Sequence, residues 1–204
     1  MRALSRETLA AWLADAEVLE RDGRGIKVAR LADGRFLKCF HLRRHIWRAR
    51  LFPPAERFAR NAAALAARGF AVPEEIETFW VDPKRGLSAC RYRPLPGVTL
   101  ETLLAQTPEA IPPLLPDLAA FIRELHEKGV YFRSLHLGNI LALPRAGADH
   151  PQSFGLIDVL DLRLHARPLG RWHISRNFRH LRASLLRRQQ DFPLESLLSL
   201  YARK

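Results

Sequence analysis

The stretch Val130-Tyr-Phe-Arg-Ser-Leu-His-Leu-Gly-Asn-Ile-Leu-Ala-Leu143, followed shortly by Gly155-Leu-Ile-Asp-Val159, decides the fold of this chain. Four residues separate Ser134 from Asn139 in this stretch, and Asp158 follows further along the chain. Apolar, β-prone residues flank each of these polar groups. The polar side chains of this loop are therefore the first candidates for a functional site.

The composition is that of a folded protein. A chain of 204 residues with 48% hydrophobic residues can bury a substantial core, as one domain or as two small lobes sharing a cleft. Cys39 and Cys90 are too few for a disulfide framework and fit a reducing compartment. The first residues lack the apolar stretch of a signal peptide, and no apolar run approaches the roughly 20 residues that span a bilayer. We therefore expect a cytoplasmic protein.

The charge is strongly positive. A net charge of +12 and a pI near 10.9 favour polyanionic partners such as nucleic acid, anionic lipid headgroups or a phosphorylated substrate. The positive residues are most concentrated in the stretches 41–50 and 163–188. These arginines either solvate helix faces or bind an anionic surface, and charge by itself does not choose between the two.

The first half of the chain is rich in predicted strands. After a short helical pattern between residues 2 and 19, Asp33-Gly34 joins two β-prone runs and predicts a tight hairpin. Lys38 lies in the second run, where its stem either sits in an apolar setting or reaches out to water from an edge strand. Upstream, Gly23 and Gly25 predict a glycine-rich turn. This turn either brings backbone N–H groups near a phosphate or is an ordinary turn.

A helix and a second hairpin complete this half. Pro53-Pro54 opens the helix, and Gly69 ends it. Glu56 is its only acid and lies in the first turn, where it complements the helix dipole or pairs with a lysine. Residues 76–81 and 87–92 predict the hairpin, and the stretch 94–97 then breaks regular structure. This break predicts a hinge between a β-rich half and a helix-rich half.

The second half is mostly helical. Residues 99–104 predict a short helix, and a stronger pattern after the proline cluster 111–116 ends at Gly129. Phe178, Leu181, Leu185 and Leu186 are predicted to mark one face of a basic helix, and residues 192–201 give a final amphipathic segment. The basic helix either packs on the loop or lies against an anionic membrane leaflet.

The order of these features resembles that of the protein-kinase-like superfamily. The shared features are the strand with Lys38, the helix ending at Gly129, the loop from Arg133 to Asn139 and the strand ending at Asp158. The chain looks most like the Kdo/WaaP lipopolysaccharide kinase family, small bacterial enzymes that phosphorylate inner-core sugars. The element order is shared over residues 26–186, and motif identity is confined to the loop, Asp158 and Lys38.

The resemblance implies an α+β, protein-kinase-like fold. It implies a β-rich N-lobe in residues 1–93, a hinge at 94–97 and a reduced helical C-lobe in residues 98–204, with ATP and magnesium as cofactors. The resemblance implies that the cofactor is bound by Lys38, Gly23, Gly25, Glu56, Asn139 and Asp158. Of these, Asn139 and Asp158 would hold the metal. The implied catalytic residues are Arg133, Ser134, His136 and Asp158.

Ser134 departs from the family pattern, which has Asp at this position. A hydroxyl is neutral near pH 7 and does not accept a proton as a carboxylate does. Loss of a general base slows a reaction by about 10² to 10⁴, and positioning and metal electrostatics contribute most to phosphoryl transfer. His136 is a substitute base or orders the loop by hydrogen bonding. Phe132 stands where the loop usually has His, and we expect it to anchor the loop in the core.

Two functions follow from the resemblance and its departure. The first is an ATP- and Mg-dependent kinase for a sugar of the lipopolysaccharide core or a related envelope glycan. The second is a pseudokinase, a nucleotide-responsive or structural binding module in envelope biogenesis. The expected partners are ATP, an anionic glycolipid and the anionic inner-membrane surface, where a cytoplasmic protein is held peripherally. Nucleic acid ranks last, because the tryptophans are scattered and no nucleic-acid-binding module is recognised.

Overall fold

The structure, a computed structural model, describes residues 1–41, 46–144 and 154–203. It divides into two units, Met1–Leu95 and Pro96–Lys204, with the boundary inside the stretch 94–97. Residues 42–45 of the first basic stretch lie outside the described residues. Among the helices of the described ranges, none is both long and apolar enough to cross a membrane.

The first unit is built on a six-stranded sheet. Its strands, in the order β1-β5-β6-β4-β3-β2, are β1 (Arg2–Ala3), β2 (Glu17–Asp22), β3 (Gly25–Arg30), β4 (Phe36–Phe40), β5 (Glu74–Asp82) and β6 (Leu87–Arg93). Its helices are α1 (Arg6–Ala14), α2 (Ile46–Leu51) and α3 (Pro54–Ala66). All pairings are antiparallel except that of β1 with β5. Both hairpins that the sequence predicts are present.

The start of the chain differs from the helical pattern over residues 2–19. The helix α1 is shorter and begins after Ser5, whose hydroxyl accepts a hydrogen bond from the Thr8 N–H. The residues that follow it form β2, an edge strand with mostly exposed side chains. A strand exposed on both faces has no alternation of apolar and polar residues, so its sequence carries no strand signal.

The two cysteines lie in neighbouring central strands. Cys39 is in β4 and Cys90 is in β6, where Cys90 pairs with Lys38 across the ladder. Neither cysteine forms a disulfide within the described residues, and Cys90 is fully buried. Burial raises the pKa of the Cys39 thiol to about 11, so the thiol is protonated at neutral pH.

The second unit combines four helices with short strands. The helices are α4 (Leu100–Gln106), α5 (Ile111–Glu127), α6 (Arg171–Arg188) and α7 (Leu194–Ala202). The strands are β7 (Val98–Thr99), β8 (Val130–Phe132), β9 (Ile140–Ala142), β10 (Phe154–Leu156) and β11 (Leu162–Leu164). They pair as a sheet of order β10-β9-β7 and as a β11-β8 ladder.

The helix α5 is the core of this unit and begins inside the proline cluster rather than after it. Pro112 and Pro113 fall in its first turn, where backbone N–H groups have no intrahelical acceptor, so a missing N–H is tolerated. Gly129 follows the helix at φ 72°, and a Cβ there would lie 2.4 Å from the His165 carbonyl oxygen. Only glycine fits this close approach, which sends the chain directly into β8.

Candidate active site

The loop 133–139 is fixed to the core by apolar side chains that alternate with its polar ones. Phe132, Leu135 and Leu137 are each 1% exposed, which confirms the expected anchoring role of Phe132. Ser134 and His136 are half-buried between them, and Arg133 is exposed. Arg133, Ser134 and His136 are thus at least partly accessible, whereas the polar side chain of Asn139 is buried.

Asn139 and Asp158 meet at one end of the β9–β10 hairpin. Asn139 directly precedes β9, Asp158 lies two residues after β10, and the Ile157 N–H donates to the Asn139 carbonyl at 3.0 Å. The Asn139 side chain is buried, and its Nδ2 donates to the Ser134 carbonyl at 3.0 Å. Asp158 has left-handed backbone angles, with φ 54° and ψ 45°. The hairpin thus brings the backbones of Asn139 and Asp158 close together, and their side chains carry an amide oxygen and a carboxylate, both hard oxygen ligands.

His136 lies among charged groups next to Asp158. Burial is the main cause that lowers the pKa of His136, and the positive charge of Arg188 lowers it further. The negative charges of Glu101 and Asp158 raise this pKa and so partly offset the decrease. Its Nδ1 is buried and has no hydrogen-bond partner within the described ranges. A lowered pKa favours the neutral ring, which is the form that accepts a proton.

Glu101 of α4 borders the loop and was not identified from the sequence. A Cβ at Gly138 would lie 2.5 Å from Glu101 Oε2 and 3.3 Å from His136 Nδ1. Arg188 and Gln190, at the end of α6, both donate to Glu101 Oε1, with Gln190 at 2.8 Å. Glycine at 138 therefore lets a carboxylate approach the loop, and the sequence gives no sign of this long-range contact.

In the first unit, Lys38 lies in β4 between buried Leu37 and half-buried Cys39. Its Nζ is 5.7 Å from the ring centroid of Phe58 and 6.0 Å from that of Phe40. Because side chains alternate along a strand, Leu37 and Cys39 face the opposite side of the sheet, and the shown neighbours of the Lys38 side chain are the two rings, which attract its ammonium group.

Three further predicted residues also lie in the first unit. Gly23 and Gly25 form the β2–β3 turn, and the Arg24 N–H of this turn donates to Asp22 Oδ1 at 2.8 Å. That hydrogen bond is the main cause that lowers the pKa of Asp22. Glu56, in the first turn of α3, has its Oε1 3.5 Å from the Met1 amino group. The pairing of Glu56 with Lys38 stays a prediction.

A buried polar chain lies behind the loop, and we call it the His126 network. Asn177 Nδ2 donates to the Phe132 carbonyl at 2.7 Å, and its Oδ1 is 3.1 Å from His126 Nε2. His126 Nδ1 is 2.8 Å from the Tyr201 hydroxyl. If Nε2 carries the proton of the ring, Tyr201, His126 and Asn177 each donate to the next group, and all three hydrogen bonds are satisfied.

The His126 network is consistent with a neutral imidazole. Burial lowers the pKa of His126 from 6.5 to about 4, and the hydrogen bond with Asn177 only partly opposes this. Sequence reasoning missed both residues. A signal was present, because each is a polar residue within an apolar helix face: His126 follows Ile122 by one turn, and Asn177 precedes Leu181 by one turn.

The fold is similar to those of solved kinase structures. One is described as WaaP in complex with acyl carrier protein; the match has a TM-score of 0.57 and 21% identity, and covers 100% of this chain and 90% of that chain. Another is the Rio2 kinase-ADP/Mg²⁺-phosphoaspartate complex from Chaetomium thermophilum, with a TM-score of 0.56 and 18% identity over 97% of this chain and 65% of that chain. The present chain thus spans less than two thirds of the Rio2 chain.

No family model matches the sequence, and no curated protein matches it. At these identities the solved structures establish the fold alone. The chain has an α+β, protein-kinase-like fold, which confirms the predicted fold class.

Proposed function

We propose that this protein is a kinase that transfers a phosphoryl group from ATP to a sugar hydroxyl of the lipopolysaccharide core or a related envelope glycan. The observation that supports it most is the meeting of Asn139 and Asp158 beside the loop of a protein-kinase-like fold. In this proposal residues 1–93 and 98–204 are the two lobes, and 94–97 is the hinge.

The donor set fits a magnesium ion. Asn139 uses its Nδ2 to bond the Ser134 carbonyl, so its amide oxygen would be free to hold the ion together with the Asp158 carboxylate. Lys38 would contact the nucleotide phosphates, with the Gly23–Gly25 turn as a further phosphate contact and Glu56 as the partner of the lysine. Magnesium, when bound, neutralises charge on the phosphate oxygens during transfer.

The chain's own residues would position the acceptor and take its proton. Ser134 stands at the position where the family pattern has the catalytic Asp, and Arg133 precedes it. Because a hydroxyl is a poor proton acceptor, the neutral His136 imidazole is the proposed base. Its partnerless Nδ1, within the part of the chain that the structure describes, is the atom that would receive the proton.

The proposed acceptor and location rest on the family resemblance, on the fold likeness to WaaP and on charge. A net charge of +12 would draw the protein to an anionic glycolipid and to the inner-membrane surface. We therefore place it in the cytoplasm, peripherally on that membrane.

A second proposal is favoured by Ser134. A protein with the kinase fold that lacks the catalytic carboxylate could bind a nucleotide without transferring phosphate, as a pseudokinase in envelope biogenesis. The kinase predicts both nucleotide binding and turnover, whereas the pseudokinase, as a nucleotide-responsive or a structural binding module, predicts no turnover.

Nucleotide binding is tested by the thermal midpoint with and without ATP and magnesium. We expect a magnesium-dependent rise of about 5 °C or more with ATP at about 100 times its Kd. Lys38→Ala and Asp158→Ala should both lose it, because one removes the phosphate contact and the other a metal ligand. A wild-type protein without any shift at millimolar ATP would contradict the kinase and would favour a structural module that binds no nucleotide.

Turnover separates the two proposals. We expect Ser134→Asp to raise the rate of phosphate release or transfer from ATP by about 10², since it restores a carboxylate base and keeps the Ser134 carbonyl that Asn139 contacts. Ser199→Asp, at an exposed position of α7, adds the same charge elsewhere and should change nothing. Nucleotide binding without turnover in either wild type or Ser134→Asp would select the pseudokinase.

A further inference from the structure

A cluster of basic and aromatic side chains covers one face of the β8–β11 ladder. Tyr131 and Arg163 are cross-strand partners, so their side chains lie on the same face. Arg133 and His165 directly follow β8 and β11, and their N–H groups donate to the Asp161 and Gly129 carbonyls, so the pairing continues through them. The helix α6 adds His173, whose ring centroid is 4.9 Å from that of Tyr131 and 4.8 Å from that of His165.

The same face continues along α6. The Arg176 guanidinium lies 5.2 Å from the Trp172 ring, and that ring packs edge-on against His173 with centroids 4.8 Å apart. Trp172 is 59% exposed. Arg176 acts electrostatically on both His173 and His180. We call the set formed by Tyr131, Arg163, His165, His173 and Arg176 the Tyr131 face.

Polar atoms in this region lack partners. The Tyr131 hydroxyl, His165 Nε2 and His180 Nε2 are buried and make no hydrogen bond to any residue in the described ranges. The whole Tyr131 residue is only 4% exposed. A buried polar atom without a partner is unfavourable, so three in one region indicate a ligand that supplies acceptors.

The balance of charge points to an anion. Within the residues that the structure describes, neither Arg163 nor Arg176 forms an ion pair with a carboxylate. The acid closest along the ladder is Asp161, which is exposed and whose main-chain oxygen accepts from the Arg133 N–H. Burial, followed by neighbouring positive groups, lowers the pKa values of His173 and His180. The positive groups therefore repel one another, and a bound anion would relieve this repulsion.

We propose that the Tyr131 face binds a phosphate group, separately from the nucleotide site proposed above. A phosphate offers acceptor oxygens to the guanidinium forks of Arg163 and Arg176, to the Tyr131 O–H and to the ring N–H groups of His165 and His173. The phosphate belongs either to a soluble ion or ester or to a lipid headgroup. Exposed Trp172 at the edge of the face is a residue type found at membrane interfaces, so both sources are tested.

The first experiment titrates the full chain with inorganic phosphate, and with chloride at matched ionic strength, while the ring-proton NMR signals of His165 and His173 are followed. We expect saturable shifts with phosphate alone. Arg163→Gln and Arg176→Gln should each weaken binding about tenfold, since each removes a charge-assisted contact. Tyr131→Phe, which removes one oxygen from the face, should weaken it about fivefold.

Two control variants separate this site from general charge and from the nucleotide site. Arg60→Gln, at an exposed position of α3, removes the same charge elsewhere and should leave phosphate binding unchanged. Lys38→Ala should also leave it unchanged, whatever becomes of ATP binding. Equal affinity in wild type, Arg163→Gln and Tyr131→Phe, or shifts that chloride reproduces, would overturn the proposal.

Vesicle co-sedimentation identifies the source of the phosphate. Binding to phosphatidylcholine vesicles that contain phosphatidic acid, absent with phosphatidylcholine alone and lost in Arg163→Gln, would assign the site to a lipid headgroup. Saturable binding of inorganic phosphate without vesicle binding would assign it to a soluble phosphate. Absence of both would refute the site.

Discussion

The two sides of the loop 133–139 are built in opposite ways. On the core side, the His126 network joins Tyr201, His126, Asn177 and the Phe132 carbonyl through three hydrogen bonds, and His126 and Asn177 are nearly fully buried. On the other side, His136 Nδ1 is buried without a partner in the described part of the chain, and Ser134 is half-buried.

This difference separates what holds the loop from what the loop offers to a ligand. A satisfied network in a low-dielectric interior fixes the backbone at Phe132, one residue before the first polar position. The buried His136 Nδ1 without a hydrogen-bond partner in the described part of the chain is unfavourable for the isolated protein, and such atoms are typical of ligand-binding sites. We therefore expect core-side substitutions to change stability and loop-side substitutions to change chemistry.

Asn177→Ala should have the largest effect on stability. It leaves the His126 N–H and the Phe132 carbonyl buried without partners, and at about 1–3 kcal/mol for each group we expect a loss of about 4 kcal/mol in the free energy of unfolding. Denaturant titration measures it. Ser175→Ala, at an exposed position of the same helix, should change the free energy by less than about 0.5 kcal/mol. A loss below about 1 kcal/mol for Asn177→Ala would mean that the network does not hold the loop.

His126 should give a pH dependence of nearly the same size. Its pKa is lowered in the folded protein from 6.5 to about 4, so within this window the unfolded chain binds the extra proton. The stability present above about pH 6.5 is therefore lost as the pH falls, by up to about 3 kcal/mol near pH 4. Carboxylates contribute to the same curve, so the informative quantity is the difference between wild type and His126→Gln. Parallel curves for the two proteins would contradict a neutral, buried His126.

His136→Gln should have the smallest effect on stability. The ring is half-buried, and its Nδ1 makes no hydrogen bond within the described ranges, so we expect a change of less than about 0.5 kcal/mol in the free energy of unfolding. Denaturant titration beside the Asn177→Ala protein measures it. A loss above about 1.5 kcal/mol would show that His136 is part of the loop's scaffold, and the contrast between the two sides would fail.

Local signals in the sequence predicted much of the fold. Asp33-Gly34 predicted the β3–β4 hairpin because a tight turn needs residues that tolerate positive φ, and the spacing from Ser134 to Asn139 predicted the loop. The start of α5 and the strand β2 were missed, because prolines usually end helices and an exposed edge strand has no apolar alternation.

Long-range polar contacts of the candidate site were not predictable. Asn177 and His126 are 51 positions apart, and Gln190 and Glu101 are 89 positions apart. No periodicity or turn motif connects residues at such separations, and the hydrogen bonds form only once α5 and α6 have packed. The roles of Lys38, Asn139 and Asp158 remain predictions based on the loop spacing and the family resemblance.

The buried thiol of Cys90 in β6 offers a way to measure how often the sheet of the first unit opens. The thiolate is the nucleophile that attacks an alkylating reagent, and burial raises the pKa of the half-buried Cys39 thiol to about 11, which slows its reaction. Cys90 is fully buried, so its modification has to wait until the ladder opens. Cys39 is the chain neighbour of Lys38, and Cys90 is its cross-strand partner. The rate at which Cys90 is alkylated therefore reports how often the strand that carries Lys38 separates from β6, without any engineered residue.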